Sequence, residues 1–116
     1  RRASAVNIVS IDEYFREKNK VDLIKLDVQG AEFRALQGMK KTILQNPQVV
    51  LIIEFSPFLL RQCGDQPEEF LDYIENLGFY LRVIDNKTEQ ARIVTKKDLL
   101  LHCRGTRFEN LFLMKV

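Results

Sequence analysis

The run VVLIIEF, from Val49 to Phe55, constrains the fold more than any other stretch: it is uninterrupted and apolar until it ends on Glu54 and Phe55. Asn46 and Pro47 stop whatever precedes it, because the residue before a proline is pushed out of the helical region. Such a run reads as a central strand covered on both faces. Everything else in the chain has to supply that cover.

The flanking segments read as elements of alternating type. VDLIKLDV, Val21 to Val28, is a second apolar strand bounded by Gly30. Between the two strands, AEFRALQGMKKTILQ spaces Phe33, Leu36, Met39 or Lys40, and Ile43 with Leu44 as one helix. Upstream, Ser10 followed by Glu13 forms a capping box for a short helix over Ile11 to Lys18. Downstream, SPFLLRQCGDQ reads as a loop with room for one helical turn, its Phe58, Leu59 and Leu60 packing on the core or on a partner. PEEFLDYIENLG follows as a helix, with Pro67 and acids at its start, an apolar stripe of Phe70, Leu71, Ile74 and Leu77, and Gly78 as its stop. FYLRVI is a strand, DNKT a turn, ARIVT a short strand, KKDLLLHC a helix capped by Thr95, and NLFLMKV the closing strand. This order predicts an α/β sheet with parallel members joined by right-handed crossovers.

Composition bounds what such a sheet can do. With 116 residues, 46% of them hydrophobic, the chain supports one cored domain over residues 1–116. Its formal net charge is +2, with Lys and Arg scattered among acids, so charge points to no nucleic-acid partner. No apolar run approaches the roughly 20 residues of a membrane span, and the chain reads as soluble and cytoplasmic. Cys63 and Cys103 lack a metal or redox spacing and read as reduced thiols. His102 adjoins Cys103, but sequence neighbours point different ways, so a catalytic Cys/His pair is not expected. A glycine-rich phosphate loop is absent as well.

The candidate chemistry lies at the strand ends. In an open α/β sheet, ligands bind outside the carboxyl ends of parallel strands. Asp27 and Glu54 fall there on consecutive strands, where carboxylates can bind a hydroxyl, accept a proton or hold a cation. Gly30 lets the chain turn sharply, and Glu32 sits in the first turn of the next helix. Spacing also allows Glu32 as a helix-start charge and Glu54 as a polar strand end.

VDLIKLDVQGAEFRALQGMKKTI followed by VVLIIEFSP resembles the carboxyl-terminal half of the FkbM-family methyltransferases. Lys25, Asp27, Gly30, Glu32, Leu36, Gly38 and Glu54 fall on the family pattern, and Asp12 in VSIDEYF matches an upstream acid. Gln29 departs from it, standing where the family more often has glutamate.

The resemblance implies a Rossmann-like, S-adenosylmethionine-dependent methyltransferase sheet, mostly parallel with a final antiparallel strand, acting on a hydroxyl of a small molecule or sugar. Asp27 and Glu32 are then the catalytic candidates, and Gln29, Gly30 and Glu54 the substrate-binding ones, with no metal assigned. The chain corresponds to strands four to seven of that fold, without the cofactor-binding strands one to three. Two expectations follow: the isolated chain is inactive and binds no cofactor, and Val21–Val28 is a bare sheet edge able to self-associate. A non-catalytic α/β remnant or interaction module is the alternative.

Overall fold

The computed structural model describes residues 8–15 and 20–116. Its elements run α1 (Ile11–Phe15), β1 (Leu23–Leu26), α2 (Glu32–Gln37), α3 (Lys40–Gln45), β2 (Val50–Phe55), α4 (Pro57–Gln62), α5 (Pro67–Asn76), β3 (Arg82–Asp85), β4 (Gln90–Ile93), α6 (Lys96–His102) and β5 (Glu109–Leu113). The expected continuation of the first helix to Lys18 lies outside the described residues.

Among the described residues the strands form one sheet in the order β1-β2-β5-β3-β4. β1 and β2 are parallel, with Ile24 opposite Leu51 and Leu26 opposite Ile53. The other pairs, β2–β5, β3–β5 and β3–β4, are antiparallel. The expectation of a mostly parallel sheet is therefore corrected. β2 and β3 both oppose β5, so β1, β2 and β3 do share one direction; β5 is inserted between two of them, and the hairpin strand β4 adds one more reversal.

One face of this sheet carries the helices. Leu26, Leu51, Ile53, Phe55, Val83, Leu111 and Leu113 point to it and join Leu36, Ile43, Leu60, Phe70, Ile74 and Leu99 in the core. Phe55 stacks on Phe70 with ring centroids 6.3 Å apart, and Phe33 meets Phe70 and Tyr73 at 5.5 Å each. Aromatic pairs of this kind add about 1 kcal/mol beyond the area they bury.

The other face is a second correction. β2 alternates between half-buried Val50, Ile52 and Glu54 and buried Leu51, Ile53 and Phe55, so it is covered on one side only. Phe112 pairs with Ile52 on the open side, and Leu23 of β1 remains 58% exposed. A continuous apolar run thus records two apolar faces, not two covered ones.

Two further differences are local. The single helix expected after Gly30 is two, broken at Gly38 and Met39, where Met39 has a non-helical φ of −121°. Asp12 supplies the cap that Met39 cannot: its carboxylate accepts from Lys41 N–H at 3.0 Å, and from Thr42 N–H and Oγ1 at 2.8 Å each. The expected loop after β2 is the helix α4, whose Ser56 cap accepts from Leu59 N–H and whose Pro57 opens the first turn. The Ser10 and Thr95 caps stand as expected, accepting from Glu13 N–H at 3.1 Å and Asp98 N–H at 3.0 Å.

Candidate active site

β1 ends at Leu26, and the next residues make a tight reversal. Gln29 and Gly30 both have positive φ, 51° and 100°, and Ala31 N–H donates to Val28 C=O at 3.2 Å. Positive φ at both central positions with that hydrogen bond describes a type I′-like turn. Only glycine fits its second corner, because a Cβ on Gly30 would lie 2.5 Å from the Leu59 carbonyl oxygen. The turn is thereby pressed against α4.

Glu32 holds this turn from inside. It is 3% exposed, and its carboxylate accepts from Val28 N–H and from Gly30 N–H, each at 2.8 Å. Both oxygens are engaged by the backbone they organise. Glu32 therefore acts on the site by fixing the course of the chain that follows Asp27.

Asp27 itself is exposed, and Gln29 Nε2 donates to its Oδ1 at 3.2 Å. The uncharged amide at position 29 thus supplies a donor that a glutamate could not. Glu54 lies on the neighbouring strand, and both carboxylates line one cavity of about 230 Å³ together with Lys25, Leu26, Ile52, Phe108 and Asn110. Burial pushes the Glu54 pKa above the ordinary glutamate range, aided by the negative charges of Asp27 and Glu32 and by a hydrogen bond to Asp27. The site brings two carboxylates to one cavity.

Sequence reasoning brought Asp27, Gln29, Gly30, Glu32 and Glu54 to one place, and the fold gathers all five at the carboxyl ends of β1 and β2. It missed Phe108 and Asn110. Asn110 is the cross-strand partner of Glu54, a neighbour that exists only because β5 inserts beside β2. The alternation of NLFLMKV marks a strand, but nothing in it says which strand it joins.

Elsewhere, Arg92, Asp98, His102, Arg107 and Glu109 line a cavity of about 420 Å³. Cys63 and Cys103 are free thiols, and burial together with Glu109 pushes the Cys103 pKa up to about 11. His102 pairs instead with Glu109, Nε2 to Oε1 at 2.8 Å. No cluster of three or more His, Cys, Asp or Glu residues suited to a metal occurs among them, and no described helix is long and apolar enough to cross a membrane.

A nucleotide-sized cofactor does not fit this cavity, since ligand pockets of that kind run to roughly 300–1,000 Å³ and present backbone N–H groups or a glycine-rich loop. The cavity offers side chains on a flat sheet face, and the Gly30 amide is already taken by Glu32.

The chain matches no curated protein and no solved structure. A family model described as the methyltransferase FkbM domain matches residues 1–81, which include β1, β2 and the whole Asp27–Glu32 turn. With the greater part of its length so matched, the chain belongs to the FkbM methyltransferase family.

Proposed function

We propose that this chain is the acceptor-binding part of an S-adenosylmethionine-dependent O-methyltransferase with a Rossmann-like sheet, acting on a hydroxyl of a small molecule or sugar. The observation that carries the reading is the pairing of Asp27 and Glu54 in one cavity at the carboxyl ends of two adjacent parallel strands. Family membership supplies the reaction class.

An alcohol becomes a competent nucleophile only as its proton departs, so the acceptor needs a base within hydrogen-bond reach. Asp27 is that base, aimed by Gln29 and by the turn that Glu32 fixes. Glu54, whose pKa is raised, hydrogen-bonds Asp27 or the acceptor, and the proton that Asp27 collects passes from its exposed carboxyl to solvent. Lys25 lies on the rim and orients the acceptor. The methyl donor binds to a further strand-and-helix unit seated on the outer edge of β1 and on the open sheet face. That edge and that face are the surfaces such a unit needs.

Substitution in the full-length enzyme tests this reading. Asp27→Asn should lower kcat by about 10²-fold or more with the fold intact, the usual scale for loss of a general base. Methyl transfer at the wild-type rate in Asp27→Asn would sink it.

The open face also supports a second reading, a non-catalytic interaction module. Calorimetry separates the roles of the two parts: S-adenosylmethionine should give no heat of binding with residues 1–116 alone. One-to-one binding to this chain would instead place the cofactor site within it.

A further inference from the structure

The cavity has a wall that lies outside the family match. Phe108 immediately precedes β5 and Asn110 lies in it, both beyond residue 81, where the match ends. Phe108 is 53% exposed although it is a large apolar side chain, and the core of the sheet does not use it. The Asn110 side chain is exposed beside Glu54, and among the described residues no hydrogen bond occupies its carboxamide. Neither residue is explained by the stability of the fold.

Together the lining groups form a specific pattern. Phe108 offers a flat apolar surface. Asn110 both donates and accepts, Asp27 accepts, Glu54 donates when protonated, and Lys25 donates. Two carboxylates disfavour an anion, and a chain alcohol would leave the ring of Phe108 bare. A saturated ring with adjacent hydroxyls satisfies both parts: its C–H face covers the phenyl ring, and its hydroxyls meet groups of alternating donor and acceptor character.

We infer that Phe108 and Asn110 are specificity-determining residues that select a cyclic polyol acceptor, with the ring on Phe108 and neighbouring hydroxyls on Asn110 and Glu54. The inference rests on reading the cavity as the acceptor site. It assigns acceptor choice to the segment outside the family match.

The test is an NMR titration of residues 1–116, at a concentration where sedimentation velocity shows monomer, with methyl α-glucopyranoside and with myo-inositol, using n-propanol as the control. Saturable shifts are expected for the Asn110 side-chain amide and for the amides of Lys25, Asp27 and Glu54 with the ring polyols, and none with n-propanol. Phe108→Ala and Asn110→Ala should each weaken binding about tenfold, while Phe108→Tyr retains it. Absence of saturable shifts, equal response to n-propanol, or binding unchanged in both alanine variants overturns the inference. Hydroxyl methylation by the full-length enzyme that is unaffected by Phe108→Ala also defeats it, yet leaves the methyltransferase reading standing. Polyol binding without any methyl transfer does the reverse.

Discussion

In its ionised form Glu54 opposes folding where it stands. Burial and two neighbouring acids raise its pKa, so the folded state holds its proton more tightly than the unfolded chain does. Such a group favours folding while protonated, and that advantage is lost as pH rises from the ordinary value of 4.5 through the raised one. Glu54→Gln should therefore raise Tm at pH 7, with a gain that shrinks below about pH 4.5, measured by thermal melts across pH. Asp12 runs the opposite way. Burial raises its pKa, but the hydrogen bonds from Thr42 and Lys41 outweigh burial and hold it below the usual 3.8. Its contribution is present above 3.8 and is lost as pH falls through the lowered value. Asp12→Ala should cost about 1–2 kcal/mol at neutral pH in urea denaturation, the scale of a lost helix cap. The Asp12 acid was legible in the sequence through its family match; its target, thirty residues on, was not, because no local pattern announces a cap delivered from another helix.

At the scale of elements, the reversal after β1 is the most constrained. Gly30→Ala combines a φ of 100° with a 2.5 Å approach to backbone on α4, and should cost about 2–4 kcal/mol by denaturant unfolding. Glu32→Ala leaves the buried Gly30 N–H and the part-buried Val28 N–H without partners and should cost about 2–3 kcal/mol on the same measure, so its effect on turnover follows from the lost turn. A Glu32 variant with full stability and no activity would instead make it a group that touches the acceptor. Most elements were legible where chemistry is local: the caps at Ser10 and Thr95, the proline start of α5, and both apolar strands. The break at Gly38 was not, because Met39 and Ile43 keep helical spacing across it and only the trans cap from Asp12 rewards the interruption. The helix α4 was legible only as a loop with room for one helical turn, because its six residues carry too little periodicity to separate a helix from a loop.

For the whole molecule, the open face and the outer edge of β1 dominate behaviour in solution. Leu23, Ile52 and Phe112 share that face, and β1 pairs on one side only among the described residues. Residues 1–116 alone should self-associate with rising concentration, seen by sedimentation velocity, and Leu23→Lys should shift the equilibrium toward monomer. A monomer at all concentrations, insensitive to Leu23→Lys, would show that the edge is inert. Among the described residues β1 lies at the sheet edge, and sequence reasoning expected cover on both sides of β2. Hydrophobicity reports what a face can bury, and the identity of the cover lies in residues that the strand does not contain.

The insertion of β5 between β2 and β3 also sets an order of events during synthesis. The ribosome delivers β3 and β4 before the strand that ties them to the rest of the sheet, so a nascent chain that has just completed α6 holds a finished hairpin with no neighbour to join. Until Glu109–Leu113 emerges, Asn110 is also missing from beside Glu54. Sheet and site are therefore closed in one step, when β5 emerges.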